Sequence, residues 1–358
     1  MKFPTQVLLP FFLSLAPQAT AASSDLAVEV GHHVIFSYSG LEPPSQLLDL
    51  ITEGKVGGVI LFGENVSDNL TSTVNVLQTT YKQSPHYSGS PLFIMTDQEG
   101  GKVRRLPGGP EQSAKQVGQS ADPQAAATQM GKDAAAVMTT YKNNVNLAPV
   151  VDVYREEGDF ADSSQRSFSN SSTLVGTCAS AFITAQQSDN VVAAAKHFPG
   201  LGAAGTNENT DIQPVTIDLT LEELRKIDMA PYSKAIAAGV DMVMTSWALY
   251  PALDADYPAG LSKTIIQNEL RGRLGFTGVT ITDAIEAGAL ADFGDHANRG
   301  LLAAQAGVDI LLAAARDYTQ GESVYDALLA ALEDGSLDKD AFSAATERIL
   351  DVRKKLTF

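Results

Sequence analysis

The sequence has few of the residues that form disulfides or hold metal ions. Cys178 is the single cysteine, so no disulfide can form within the chain. We expect Cys178 to be a buried helix residue, because free cysteine is among the most often buried residue types. The five histidines are scattered, and no HExxH spacing occurs. We therefore predict no metal site and no other cofactor.

Long hydrophobic runs are also missing. The apolar run 7–16 is too short to cross a bilayer, and no later segment comes close. With Lys2 before this run and Ala19-Thr20-Ala21 after it, residues 1–22 have the pattern of a secretory signal peptide. We predict a secreted, extracellular protein whose mature domain is 23–358.

Basic residues are outnumbered: 42 acidic residues face 25 basic ones, for a net charge of −17. Such a balance argues against nucleic acid or an anionic membrane as a partner. Three Asn-x-Ser/Thr triplets, at Asn65, Asn69 and Asn170, permit N-glycosylation in a host that performs it.

Eight apolar segments recur along the chain with amphipathic stretches between them. They are 33–38, 56–62, 91–97, 145–152, 191–198, 240–247, 278–283 and 308–314. Helical patterns cover 124–142, 220–239, 263–275 and 338–356. Strands that alternate with helices predict a parallel α/β fold, and eight strands close a barrel. We predict a single-domain (β/α)8 barrel, with an open doubly wound sheet as the alternative.

Polar side chains stand at the carboxyl ends of the predicted strands, where α/β barrels place their active sites. These residues are Asp97, Asp152, Lys196, His197, Ser246, Trp247 and Asp283. The Asp97 segment, DQEGG, fits either a loop whose carboxylates pair with nearby arginines or a ligand-binding loop. Asp283 taken alone favours a helix N-cap over a nucleophile.

Two common active-site motifs are excluded. Gly200 to Gly205 satisfies G-x-G-x-x-G, but polar loop rather than an amphipathic helix follows, so a nucleotide site is not predicted. G-x-S-x-G is absent, which argues against a Ser-His-Asp hydrolase of the α/β type.

Six collinear segments resemble glycoside hydrolase family 3, in its single-domain β-N-acetylglucosaminidase branch. They are GGVILFGENV (57–66), DQEGGKVRRL (97–106), NLAPVVDV (146–153), RSFS (166–169), KHFPGLG (196–202) and LSKTIIQNELRGRLGFTGVTITD (261–283). The resemblance implies a (β/α)8 barrel that hydrolyses terminal β-linked N-acetylhexosamine with retention. It implies Asp283 as the nucleophile. It also implies a sugar subsite formed by Asp97, Arg105, Arg166, Lys196 and His197.

One departure concerns the general acid/base. The branch uses a histidine with an aspartate two residues before it, and these positions hold Asn209 and Asn207 here. An asparagine amide has no proton to donate at a useful pH. Glu208 or Asp211 on the same loop could replace the acid. Alternatively, the chain is a catalytically silent or acid-deficient barrel that binds carbohydrate.

Overall fold

A computed structural model describes residues 26–357, so the predicted signal peptide lies outside the described residues. Eight parallel strands form a closed barrel in which each strand pairs with its neighbours in the chain and β8 pairs with β1. The strands are β1 Val34–Phe36, β2 Gly58–Ile60, β3 Phe93–Thr96, β4 Val145–Asn146, β5 Val192–Phe198, β6 Met242–Thr245, β7 Val279–Ala284 and β8 Ile310–Leu312. The predicted (β/α)8 barrel is confirmed, and the open sheet is wrong.

Helices connect the strands and surround the barrel. The α-helices are 26–31, Ser45–Thr52, Leu70–Gln83, Ala114–Gly118, Pro123–Thr140, Phe160–Ser163, Ser172–Gln187, Leu221–Glu223, Ala230–Ala237, His296–Ala306, Tyr318–Asp334 and Lys339–Arg353. Wider π-helical turns cover Leu224–Asp228 and Thr264–Arg273, and 3-10 turns cover Gly63–Asn65, Ala259–Leu261 and Gly288–Phe293. The four predicted helices are therefore present, two of them with π-helical turns.

Residues that cap the backbone determine where some of these helices begin and end. Thr220 caps its helix by accepting a hydrogen bond from the Glu223 amide at 3.2 Å, and the Glu223 carboxylate bonds back to the Thr220 amide. Gly275 takes a left-handed φ of 71° just after the 264–273 segment, a conformation typical of glycine at a helix C-terminus.

The barrel interior is filled by alternate residues of the strands, since side chains on a strand point to opposite faces. Phe93 and Met95 of β3 and Val279 and Ile281 of β7 belong to this inner cluster. The intervening residues pack outward against the helices. Cys178 is buried within Ser172–Gln187, so the prediction of a buried helix cysteine is confirmed, and burial raises the pKa of its thiol to about 11.

No helix within residues 26–357 has the length and apolar character needed to cross a membrane.

Candidate active site

The two-residue period of the strands carries polar side chains into the barrel mouth. Continuing the inward positions Met95, Ala194 and Ile281 by two residues reaches Asp97, Lys196 and Asp283. All three line one cavity of about 380 Å³. The charged or ionisable residues that line it are Asp97, Glu99, Arg105, Arg166, Lys196, His197, Asp211, Asp283, Glu286 and Arg316. The structure thus brings together Asp283, Asp211 and the five residues of the predicted sugar subsite, whereas Glu208 and the strand-end residues Asp152, Ser246 and Trp247 do not line the cavity.

The DQEGG segment is a tight antiparallel hairpin, Gln98–Gly100 against Val103–Arg104. Buried Gln98 holds it by donating to the carbonyls of Leu106 and Gly109 at 3.1 and 2.8 Å. At Gly101, φ is 58° and a Cβ atom would lie 2.6 Å from that of Ser113, so glycine is required there. The hairpin directs the carboxylates of Asp97 and Glu99 into the cavity.

An ion-pair network joins both of these carboxylates to cations. Lys196 Nζ lies 2.8 Å from Asp97 Oδ1 and 2.7 Å from Glu99 Oε1, while Arg166 bonds both oxygens of Glu99. Burial alone would raise the pKa of Glu99, but Arg166 and Lys196 lower it well below its ordinary range. Burial would lower the pKa of Lys196, but Asp97 and Glu99 raise it. The carboxylates of this loop therefore pair with nearby cations and also line the cavity.

Arg105 joins the ion-pair network at its solvent-exposed side, through Asp97. Its guanidinium lies 3.7 Å from Asp97 Oδ2, with its side chain 38% exposed. Asp97 therefore has a cation at each oxygen, Lys196 below and Arg105 above. A carboxylate held this way has a fixed direction for accepting hydroxyl groups.

His197 is oriented by Asp152, which the sequence indicated only as a polar residue at a strand end. Its Nδ1 lies 2.8 Å from Asp152 Oδ2, so Nδ1 carries a proton. Asp152 Oδ1 also accepts the amides of His197 and Leu201, which ties the strand end to the loop beyond it. His197 Nε2 faces Arg166 Nη2 at 3.5 Å inside the cavity.

Asp283 is on β7 and points into the cavity. Its Oδ1 accepts the amide of Ala284 at 2.7 Å, and the next helical turn begins only at Gly288. The N-cap interpretation of Asp283 is therefore wrong. The site cations Lys196 and Arg166 pair with Asp97 and Glu99, which leaves Asp283 open to a ligand.

The loop after β5 places the two candidate acids, Glu208 and Asp211, in different surroundings. Asn209 and Asp211 line the cavity. Glu208 instead turns back on its own loop and accepts the Gly205 amide at 2.6 Å. The backbone of the loop is bound to the segment after Asp283, where the amide of Gly288 donates to the Asp211 carbonyl at 2.8 Å.

The surroundings of Asp211 change the pKa of its carboxyl group. Its side chain keeps contact with solvent at the cavity mouth. Loss of hydration from the surrounding protein and the nearby Asp283 raise its pKa, against the opposing effects of His197 and Arg166. Asn209 Oδ1 accepts the Asp211 amide at 3.0 Å, so the asparagine at the histidine position helps to shape the loop.

Phe62, Glu286 and Arg316 also line the cavity, although they were not among the predicted site residues. The Arg316 guanidinium stacks 4.2 Å from the centre of the Phe62 ring. The strand period could have located Phe62, which is two residues beyond Ile60, but not Arg316, whose left-handed φ of 62° lies outside strand geometry. Glu286 follows a turn, where that period ends.

The Gly200–Gly205 stretch runs into turns, and the next helix begins only at Leu221. It therefore lacks the helix N-terminus that a pyrophosphate site needs. Within residues 26–357, no group of three or more His, Cys, Asp or Glu side chains is arranged to hold a metal ion. His32 and His33 are buried beside β1 and have structural roles.

The cavity lies at the carboxyl ends of the strands and is lined by carboxylates and cations, which is the position of the active site in (β/α)8-barrel enzymes. The fold and the site therefore define a (β/α)8-barrel enzyme. The chain belongs to glycosyl hydrolase family 3, whose N-terminal domain model matches residues 27–352. The protein is accordingly a glycosidase, and its substrate is a carbohydrate.

Two relatives support the assignment of the chain to this family. An uncharacterized secreted glycosyl hydrolase of Arthroderma benhamiae is 54% identical over 342 residues, covering 96% of this chain and 97% of that protein. A beta-hexosaminidase of Tolumonas auensis is 32% identical over 287 residues, covering 78% of this chain and 82% of that protein.

Solved structures are similar throughout the barrel. The beta-N-acetylhexosaminidase of Beutenbergia cavernae superposes with a TM-score of 0.82 at 30% identity, covering 92% of this chain and 98% of that one. A family 3 beta-N-acetylglucosaminidase from Paenibacillus gives 0.86 at 31% identity, covering 92% of this chain and 62% of that one.

Proposed function

We propose that this protein is a secreted, retaining exo-β-N-acetylglucosaminidase that removes terminal β-linked N-acetylhexosamine. The observation that carries the proposal is the placement of Asp283 and Asp211 in one cavity with the network of Asp97 and Lys196. In a ring of eight strands β7 stands opposite β3, so a sugar can span from Asp283 to Asp97. The names of the relatives and of the similar structures support the choice of sugar.

In this proposal Asp283 and Asp211 act in two steps. Asp211 donates its proton to the glycosidic oxygen as the bond to C1 breaks, and a carboxylate oxygen of Asp283 bonds to C1. The Asp211 carboxylate then takes a proton from water, whose oxygen attacks C1 and releases Asp283. A raised pKa suits Asp211 to the first step, because a general acid must be protonated at the working pH.

The remaining cavity residues hold the sugar. Asp97 accepts ring hydroxyls, while Arg105, Arg166 and Lys196 supply donors and His197 presents Nε2. Secretion is proposed from residues 1–22 as a signal peptide that leaves the domain 23–358, and the secreted relative supports it.

The test compares wild type with Asp283→Ala on 4-nitrophenyl N-acetyl-β-glucosaminide. We expect wild type to release nitrophenol and the variant to release none above background, because no other group forms the glycosyl-enzyme. Asp292→Ala, at an exposed carboxylate in the 3-10 turn that follows β7, is the matched control and keeps full activity. Activity that survives Asp283→Ala contradicts the assignment of the nucleophile.

A carbohydrate-binding barrel without turnover is the second candidate, and Asn207 and Asn209 favour it. It predicts that N-acetylglucosamine binds by calorimetry while even dinitrophenyl glycosides, which need little acid assistance, stay intact. Turnover limited to activated leaving groups would instead mean that the nucleophile is present and the acid is lost.

A further inference from the structure

Glu286 lines the cavity but has no part in the two-step reaction described above. It stands three residues after Asp283, beyond the end of β7. Its side chain is partly buried, and burial raises the pKa of its carboxyl group. A carboxyl group that lines the cavity beside the proposed nucleophile is placed to accept a hydrogen bond from a bound sugar.

The structure holds this carboxyl group in a fixed direction. Glu286 Oε2 accepts the Ala314 amide at 3.2 Å and Nε2 of Gln320 at 3.3 Å. Gln320 is itself buried and accepts the Ala315 amide at 2.9 Å, so its orientation is set from the end of β8. Arg299 donates to the Ile285 carbonyl at 3.1 Å and fixes the backbone just before Glu286. Such a supporting shell is typical of residues that bind substrate.

The order of the strands indicates which part of a sugar Glu286 meets. The hydroxyl-binding residues Asp97 and Lys196 come from β3 and β5, whereas Asp283 and Glu286 share the end of β7. With C1 at Asp283 and the far end of the ring toward Asp97, the polar substituent nearest to C1 is the one on C2. We propose that Glu286 binds the substituent on C2 of the sugar and so determines which sugars the site accepts. The inference rests on the proposed role of Asp283.

The chemistry of the contact is simple. A 2-acetamido group donates its N–H to the carboxylate, and a 2-hydroxyl group donates its O–H, whereas a 2-deoxy sugar has no donor there. A site built to bond a substrate group discriminates against the analogue that lacks it, because its own polar group is left without a partner.

The experiment measures two readouts on wild type, Glu286→Gln and Glu286→Ala. The first is kcat/KM for aryl N-acetyl-β-glucosaminide, β-glucoside, 2-deoxy-β-glucoside and β-xyloside. The second is the affinity for N-acetylglucosamine, glucose and 2-deoxyglucose by calorimetry, which needs no turnover. Glu286→Gln keeps the size of the side chain and guards against misfolding, and Asp292→Ala is the matched control.

We expect Glu286→Ala to lower activity and affinity for the sugars with a C2 donor by about 10- to 100-fold, and those for the 2-deoxy sugar by less than about 3-fold. An equal loss on every sugar would mean a structural role and would overturn the inference. A change confined to the glucoside-to-xyloside ratio would place Glu286 at C6 and overturn it as well.

The same data separate this inference from the proposed function. Wild type that cleaves the N-acetylglucosaminide, with an unchanged C2 preference in both Glu286 variants, contradicts the inference alone. Wild type that cleaves no sugar but binds them with a C2 preference that Glu286→Ala loses contradicts the proposed function alone. Wild type that neither binds nor cleaves any of these sugars contradicts both.

Discussion

Arg166 and Glu99 form a two-point ion pair at the base of the cavity, with Nε to Oε2 at 2.9 Å and Nη2 to Oε1 at 2.7 Å. The same carboxylate also holds Lys196 at 2.7 Å. Removing Glu99 therefore leaves buried Lys196 and partly buried Arg166 with fewer partners, which is costly because much of their hydration is already lost.

We predict that Glu99→Ala lowers the free energy of unfolding by about 3–5 kcal/mol in equilibrium urea denaturation. Glu111→Ala is the matched control, because Glu111 pairs with Arg104 with 77% of its side chain exposed. A surface pair of this kind contributes about 0–1 kcal/mol. Equal losses of unfolding free energy in the two variants would contradict the predicted contribution of Glu99 to stability.

Asp211→Asn tests the general acid. We expect kcat/KM to fall by about 10²–10⁴-fold on unactivated glycosides and only slightly on dinitrophenyl glycosides. Because the acid must be protonated, wild-type activity falls as pH rises through the raised pKa of Asp211, and the variant lacks this decline.

Glu208→Gln serves as the comparison for Asp211, since Glu208 bonds its own loop rather than facing the cavity. We expect its pH profile and its dependence on the leaving group to match wild type. A larger loss of kcat/KM in Glu208→Gln than in Asp211→Asn would assign the general acid to Glu208 instead.

His33 makes the fold sensitive to acid. It stacks on Phe342 at 3.8 Å and bonds the Asp309 carbonyl and Thr346, while burial lowers its pKa from 6.5 to about 4. Between these pH values the unfolded chain binds a proton that the native protein does not, so stability falls as pH drops from 6.5 to 4.

The loss from His33 amounts to about 3 kcal/mol over that interval. Replacing it by Gln should reduce the slope of unfolding free energy against pH by up to about 1.4 kcal/mol per pH unit. Urea unfolding at several pH values measures the slope, and an unchanged slope in His33→Gln would contradict the prediction.

The three glycosylation triplets are not equivalent in the folded protein. Asn65 is fully buried, and its amide donates to the carbonyls of Tyr38 and Gly40 at 3.1 and 2.7 Å. Asn69 and Asn170 are exposed. In a glycosylating host we expect peptide mapping to find glycan at Asn69 and Asn170 only, and glycan at Asn65 of the folded protein would contradict this.

Much of the site followed from sequence patterns because strand ends are local features. An apolar strand that ends in Asp97, Lys196 or Asp283 places that side chain at the barrel mouth once the strands are parallel. The loops could not be assigned in the same way. Asp211 and Glu208 are three residues apart in an irregular segment, and no periodicity predicts which one faces the cavity.

The sequence by itself determined the barrel and the residues at its strand ends, since alternating apolar segments have few ways to bury their surface. Only the tertiary structure decided which carboxylates share the cavity. Glu99 meets Arg166 across 67 positions of chain, and Glu286 is held by Gln320 from the next strand end. The Gly288 amide fixes the carbonyl of Asp211 in the same way. Contacts of this kind depend on how distant segments pack, and no local pattern encodes them.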